Sequence, residues 1–209
     1  DAFISGITRK YSDVIKPALQ TVGIQEGVSK VAGMYILATK RGPMFLADTT
    51  VNIDPTAEDI AEITALVAKQ VRRLNIQPRI ALLSYSNFGS SQTPDAIKMS
   101  KAVKLIKERY PTLIVDGEIQ ANFALNNEML VDKFDFSALA NKKVNTLIFL
   151  SFAAGNIAYK LLQEMVEDVE AIGPILLGTR KSIHVLQLGS SVREITNMIK
   201  VAVLDAQTK

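Results

Sequence analysis

The chain has 209 residues, 48% hydrophobic and 22% charged, which suffices for a packed core in one large domain or two small lobes. The absence of cysteine excludes disulfides, thiolate zinc sites and a cysteine nucleophile. The 24 basic and 21 acidic residues nearly balance and only 6% of residues are aromatic, so we expect no nucleic-acid partner. No apolar run approaches the roughly 18 residues that span a bilayer, so we expect a cytoplasmic protein without membrane contact.

The first residues, Asp1 to Gly6, contain neither an initiating methionine nor the basic and apolar segments of a secretory signal. We therefore expect the chain to be a fragment of a longer protein.

The first predicted elements form a β-hairpin. Two apolar runs, Lys30 to Ala38 and Pro43 to Asp48, flank a short turn that contains Gly42. A helix follows from about residue 57 to 74, with Thr56 as its cap and Asp59 in its first turn.

The rest of the chain alternates strand-like and helix-like segments, which is typical of a mainly parallel sheet covered by helices. The first unit is a strand at Arg79 to Leu83, a polar loop at Ser84 to Thr93 and a helix from Pro94 to about Tyr110. Three further strand–helix units are predicted: 113–116 with 127–133, 144–150 with a helix from about 155, and 183–186 with a terminal helix from about 191. The best candidate for a lobe boundary is Gly178 to Ser182, which divides the chain into 1–180 and 181–209.

Ligands of open α/β sheets bind beyond the carboxyl ends of strands, where helix N-termini favour anions. Four segments are predicted to occupy such positions. They are the hydroxyl-rich loop with Ser86, Gly89, Ser90 and Ser91; the helix start with Gly155, Asn156 and Lys160; Asp116 to Gln120; and Gln187 to Ser191 with Glu194.

Each of these segments also has a purely structural interpretation. The hydroxyl-rich loop is compatible with an ordinary capped loop, and Gly155 with close packing of a helix on a strand. The carboxylates of Asp116 and Glu118 have a spacing that suits acid–base or metal chemistry, but Asp116 and Gly117 more simply form a turn. His184, the single histidine, is expected to be a buried structural residue.

Several short motifs in the right order resemble the phosphate acetyl/butyryltransferase family. They are Ser5-Gly6, Lys16-Pro17-Ala18-Leu19, Ala47-Asp48, Asn52, Pro55-Thr56-Ala57-Glu58, Leu83-Ser84-Tyr85-Ser86, Asp116-Gly117, Gly155 to Lys160 and Ala171 to Leu176. The resemblance spans nearly the whole chain. It implies a three-layer αβα fold of the isopropylmalate-dehydrogenase type, here the C-terminal portion of a two-lobed domain, with coenzyme A bound between the lobes. It also implies that the terminal helix belongs to the other lobe.

The chain departs from the family at the residues that perform acyl transfer. Where the family has Asn-Asp-Leu-Ser-Arg-Gly followed by a catalytic aspartate, this sequence has His184 to Gly189 and then Glu194. Leu188 therefore replaces the arginine, and Glu194 occupies the base position. Loss of one preorganised donor costs on the order of 100-fold to 1,000-fold in rate.

With these departures the sequence resembles the C-terminal domain of large bacterial NADP-dependent malic enzymes. The resemblance is strongest at residues 8–11, 42–43, 48–52, 86–91 and 187–194. The resemblance implies a domain that senses acetyl-CoA or CoA, forms homodimers or higher oligomers, and has no acetyl transfer of its own. NADP and a divalent metal would bind only to the malic enzyme portion outside this chain. Two alternatives stay open: an active phosphate acetyltransferase, and a scaffold that binds no ligand.

Overall fold

The computed structural model of the chain describes residues 2–166, 169–187 and 189–208. These residues form eight strands and seven helices. The strands are β1 (Ala2–Gly6), β2 (Ala32–Thr39), β3 (Gly42–Ala47), β4 (Arg79–Leu83), β5 (Ile114–Ile119), β6 (Thr146–Ile148), β7 (Glu170–Leu177) and β8 (Ser182–Leu186). The helices are α1 (Tyr11–Val22), α2 (Ala57–Arg73), α3 (Pro94–Arg109), α4 (Ala121–Leu125), α5 (Asn127–Phe134), α6 (Phe152–Met165) and α7 (Val192–Thr208).

All eight strands belong to one mixed sheet in the order β1-β8-β7-β2-β3-β6-β4-β5. Strands β3, β6, β4 and β5 run parallel to one another, and β1 runs parallel to β8. The pairs β8–β7, β7–β2 and β2–β3 are antiparallel. Three reversals of direction therefore separate β3 from β8, so the carboxyl ends of β1 and β8 lie at the opposite edge of the sheet from those of β3, β6, β4 and β5.

Helices cover both faces of the sheet. One face packs against α2, α3 and α7, through side chains such as Ile60, Met99 and Met198. The other face packs against α1, α4, α5 and α6, through side chains such as Leu130 and Tyr159. The predicted three-layer αβα class with a mainly parallel mixed sheet is confirmed. None of the described helices combines the length and apolar character needed to cross a bilayer.

The local signals that predicted the first elements are visible in the structure. Gly42 has φ of 107° at the hairpin turn, a conformation that side chains disfavour. Thr56 accepts a hydrogen bond from the amide of Asp59 at 3.2 Å, and the Asp59 carboxylate accepts one from the amide of Thr56 at 2.9 Å. This reciprocal capping box fixes the start of α2.

Other elements differ from the prediction. Strands β1 and β7 and helices α1 and α4 were not predicted, and α6 begins at Phe152 rather than near Gly155. The turn predicted at Asp116 and Gly117 is wrong, because both residues lie within β5. The Asp116 carboxylate explains this: it accepts hydrogen bonds from Ser137 and from the amide of Ala138 and pairs with Lys107 at 2.6 Å, which anchors the strand to its surroundings.

The terminal strand and helix are packed in this structure. Strand β8 pairs with β1 and β7, and α7 contacts β7, β8 and β1. The division of the chain at residues 180 and 181 into parts of two lobes stays a prediction.

Candidate functional site

Two loops leave the sheet together at the carboxyl ends of β1 and β8. Gly6 pairs with Leu186, and a Cβ atom at Gly6 would lie 2.2 Å from the Leu186 carbonyl oxygen. Only glycine permits this approach, since its φ is also +129°. The turn after Gly6 is consequently fixed beside the loop that begins at Gln187. The prediction from sequence did not place β1 at the site, although Ser5-Gly6 is one of the motifs that resemble the family.

The loop after β8 is organised by hydrogen bonds to its own residues and to α6. Ser190 Oγ donates to the Gln187 carbonyl oxygen at 2.9 Å, and the Gln187 side-chain amide donates to the Tyr159 hydroxyl at 3.2 Å. Leu188 lies outside the described residues, so its replacement of the family's arginine is inferred from the sequence alone.

Glu194 caps helix α7. Its carboxylate accepts a hydrogen bond from the amide of Ser191 at 2.6 Å, and the Ser191 hydroxyl accepts one from the amide of Glu194 at 3.2 Å. This is the capping-box arrangement, which satisfies donors that a helix start leaves unpaired. The neighbouring Arg193 already has an acidic partner, since its guanidinium pairs with Glu170 at 2.6 Å. The carboxylate at the expected base position thus already has a structural partner.

Three tyrosines lie next to this loop. The rings of Tyr35 and Tyr159 stack with centroids 4.1 Å apart, and Lys160 Nζ lies 5.1 Å from the Tyr159 ring centroid. The buried hydroxyl of Tyr11 has no hydrogen-bond partner among the described residues. Burial, and secondarily the charge of Asp48, raises the pKa of Tyr11; burial, and secondarily Tyr159, raises the pKa of Tyr35. Tyr11 and Tyr35 are therefore neutral hydroxyls at physiological pH.

The loop after β3 is built around one buried carboxylate. Asp48 accepts hydrogen bonds from the backbone amides of Gly33, Thr50, Val51 and Asn52 at 2.8–3.1 Å and from the Asn52 side chain. The start of α6 rests on this loop: the Asn156 side chain donates to the Thr49 carbonyl oxygen at 3.2 Å. A Cβ atom at Gly155 would lie 2.4 Å from the Asp48 carbonyl oxygen, so Gly155 permits close packing there.

The hydroxyl-rich loop after β4 is held by Glu118. One carboxylate oxygen, Oε1, accepts hydrogen bonds from Ser86 Oγ at 2.9 Å and from the amide of Gly89 at 2.6 Å. Ser86 Oγ also lies 3.0 Å from Ser90 Oγ and accepts from the amide of Ser91. The second oxygen, Oε2, is buried without a hydrogen-bond partner in the described part of the chain. Sequence reasoning noted Glu118 but did not connect it to this loop.

The sequence matches the family described as phosphate acetyl/butaryl transferase over residues 1–203. The chain belongs to this family. The NADP-dependent malic enzyme of Escherichia coli is 40% identical over the whole chain, and the phosphate acetyltransferase of Bacillus subtilis is 34% identical over 99% of it. The crystal structure of a phosphotransacetylase from Streptococcus pyogenes superposes over the whole chain with a TM-score of 0.93 at 33% identity.

The chain spans only part of these relatives. It covers 27% of the E. coli malic enzyme, 63% of the B. subtilis acetyltransferase and 64% of the S. pyogenes structure. The malic enzymes that match it therefore contain a phosphate acetyl/butyryl transferase-like region within a longer protein.

The structure brings some of the predicted site residues together and separates others. Gln187, Ser190, Ser191 and Glu194 are joined through Tyr159 to α6, which also contains Gly155, Asn156 and Lys160. The loop with Ser86, Gly89, Ser90 and Ser91 is remote from Gln187, because β4 and β8 have five strand spacings between them, roughly 24 Å, and run in opposite directions. These residues therefore do not lie together at one binding edge of the sheet.

Two further predictions concern buried polar groups. His184 is fully buried, as predicted, and its Nε2 atom lies 2.9 Å from Ser182 Oγ. Among the described residues no cluster of three or more acidic or histidine side chains is placed to hold a metal ion. Asp116 and Glu118 have separate partners and do not form a common site.

Proposed function

We propose that this chain is a regulatory and oligomerisation domain that senses acetyl-CoA within a cytoplasmic NADP-dependent malic enzyme and has no acetyl transfer of its own. The malic enzyme portion, which converts malate to pyruvate by oxidative decarboxylation, would bind NADP and the divalent metal outside this chain. The similarity to malic enzymes over the whole chain supports this context.

The observation that carries the proposal is the capping role of Glu194 beside a loop without a cation. Acetyl transfer between coenzyme A and phosphate requires a base that forms the thiolate when the thiol is the nucleophile, and a fixed positive group for the charge that develops on oxygen. The residue that replaces the family's arginine is Leu188, and Arg193 is paired with Glu170. The Glu194 carboxylate accepts a hydrogen bond from the Ser191 amide and so already serves as a helix cap.

The same region retains groups suited to ligand binding. The start of α7 presents the polar side chains of Ser190 and Ser191, and Gln187 extends the polar surface towards α6. The buried hydroxyl of Tyr11 is a donor without an acceptor in the described residues. These features support binding of an extended, anionic cofactor such as acetyl-CoA in a domain that does not catalyse acetyl transfer.

An exposed apolar stripe on α6 supports the self-association. Ile157, Leu161 and Met165 are spaced four residues apart and therefore lie on one face of the helix. The Met165 side chain is 77% exposed, and the other two are more than half exposed. Such contiguous apolar surface is typical of a protein–protein contact.

Calorimetric titration of the full-length protein with acetyl-CoA tests the sensing role. We expect saturable binding and no acetyl phosphate formation when phosphate is supplied. The absence of heat at millimolar acetyl-CoA would overturn the proposal.

The enzyme alternative is tested by three variants. Glu194→Gln retains the capping hydrogen bonds but removes the base, Glu194→Ala removes both, and Glu128→Gln is an exposed control. Robust acetyl phosphate formation that Glu194→Gln abolishes and Glu128→Gln preserves would identify an active phosphate acetyltransferase.

The scaffold alternative is tested by separating assembly from ligand response. We expect Met165→Asp to reduce the molar mass in light scattering, with Gln163→Asp on the same helix as the control. If acetyl-CoA changes malate oxidation in neither the parent nor these variants, the domain is a scaffold only.

A further inference from the structure

A cavity lies on the face of the sheet covered by α4 and α6. Its volume is about 680 Å³, within the range of small-molecule sites. It lies between the β2–β3 hairpin, the C-terminal half of α6 and the segments that precede β4 and β6. No residue of the loop after β8, of its Tyr159 partner or of the Ser86–Ser91 loop lines it.

The inner wall of this cavity is apolar. Leu46 and Leu147 of the sheet form its floor, and Leu125, Leu162 and Val166 form its sides. The sheet residues are buried, but Leu125 is 53% exposed and the other two wall residues are also exposed. Water therefore contacts apolar surface that a ligand of matching shape would cover favourably.

The rim of the same cavity is basic. It includes Lys40, Arg41, Arg79, Lys142 and Lys143, and no carboxylate among the described residues lines it. The side chains of Arg79, Lys142 and Lys143 donate hydrogen bonds to the backbone carbonyl oxygens of Lys143, Ala138 and Arg41, respectively. Carbonyl oxygens orient these cations without neutralising them, so within the described part of the chain their charge stays available to an anion.

We propose that this cavity binds an amphipathic anion, a medium-length alkyl chain that ends in a carboxylate. The chain lies against Leu125, Leu162 and Val166, and the carboxylate lies at the rim beside Arg41 and Lys142. Both parts of the ligand are required, because the floor offers apolar contacts and Arg41 and Lys142 at the rim offer positive charge.

A homologous series of straight-chain carboxylates tests this assignment. Titration of the protein with hexanoate, octanoate and decanoate is expected to give dissociation constants that fall by about four-fold for each added methylene until the cavity is filled. The neutral octanamide is expected to bind at least about five-fold more weakly than octanoate, because it lacks the charge. Equal binding of the two, or no dependence on chain length, would overturn the proposal.

Matched variants locate the site. Arg41→Ala combined with Lys142→Ala is expected to weaken octanoate binding by about five-fold or more and to leave octanamide unchanged. The control, Lys69→Ala with Arg72→Ala, removes the same charge from α2 on the other face of the sheet. If both double variants weaken binding equally, the effect is one of net charge and the site is wrongly assigned.

A wall substitution distinguishes a small ligand from a second copy of the chain. Leu162→Asp introduces a carboxylate into the wall and is expected to abolish octanoate binding while the molar mass in light scattering is unchanged. If octanoate does not bind to the parent protein and Leu162→Asp instead dissociates an oligomer, the cavity belongs to an interface between copies and the proposal fails.

Discussion

The side-chain amide of Gln187 donates a hydrogen bond to the hydroxyl of Tyr159 across 3.2 Å. This contact joins the loop after the terminal strand to the middle of α6, whose first turn packs on the loop around Asp48. Two segments that are 28 residues apart in sequence thereby become parts of one surface. The conformation of the loop at the candidate site consequently depends on α6.

Removal of the acceptor is expected to loosen that loop without disturbing the core. Tyr159→Phe keeps the stacked ring but loses the hydroxyl, with an expected cost of about 1 kcal/mol in the free energy of unfolding. Amide hydrogen exchange at residues 189–191 is expected to accelerate. Tyr110→Phe, at a partly exposed position, is the control and should change neither quantity. Unchanged exchange in Tyr159→Phe would show that the contact does not order the loop.

A methyl group at Gly155 is expected to separate α6 from the loop after β3. Its Cβ would lie 2.4 Å from the Asp48 carbonyl oxygen and 3.3 Å from the Phe149 ring, closer than atoms can pack. Gly155→Ala should therefore lower the free energy of unfolding by about 1–3 kcal/mol in urea titration, despite the better helix propensity of alanine. Ala153→Ser, at an exposed position of the same helix, should cost much less. A stabilising Gly155→Ala would contradict the packing described here.

Replacement of the Asp48 carboxylate is expected to be among the most destabilising changes in the molecule. Its two oxygens accept hydrogen bonds from the Asn52 side chain and from four backbone amides, which no other group nearby can satisfy. We expect Asp48→Ala to cost at least about 3 kcal/mol, measured by urea unfolding, because buried donors lose a charged acceptor. Asp54→Ala, whose carboxylate is exposed, serves as the control. A loss below about 1 kcal/mol would mean that water replaces the carboxylate.

The capping box of α2 predicts a loss of stability in acid. Burial by itself would raise the pKa of Asp59, but hydrogen bonds from Lys30 and Thr56 outweigh burial and hold that pKa below its usual range. Because the folded state favours the ionised form, this stabilisation is complete above about pH 5 and is lost as the pH falls through the lowered pKa.

Asp59→Asn measures this contribution. We expect the variant to be less stable than the parent by about 1 kcal/mol at pH 7, with the difference shrinking as the pH falls below about 4. Thermal unfolding across this range checks the expectation. A difference that is constant with pH would exclude the carboxylate charge as its source.

Much of the central fold was predictable because its signals are local. The hairpin before α2, the Thr56 cap and the β4–α3 unit depend on turn glycines, capping side chains and apolar periodicity within a few residues. Strand β7 was not predictable in this way, since Gly173 and Pro174 interrupt its apolar run and both residues are disfavoured inside strands.

The failure to predict β7 also limited what the sequence could indicate about the site. Without β7, a repeated strand–helix pattern places every following loop at one edge of the sheet. Strand β7 runs parallel to β3 and β4, and its antiparallel pair with β8 reverses the direction of β8, so Gln187 leaves the sheet at the opposite edge from Ser84. The role of Glu118 in holding the Ser86–Ser91 loop was equally hidden, because the two segments are about 30 residues apart.

The sequence by itself determined the chemical content of the loop after β8. Gln187 to Ser191 contains no cation in any fold, and this absence separates the chain from the acyl-transfer residues of its family. Only the tertiary structure decided which groups surround that loop, including the Tyr159 hydroxyl that Gln187 contacts. The physical reason is that side-chain chemistry is a property of single residues, whereas strand direction and the contacts that follow from it depend on pairings between residues far apart in the chain.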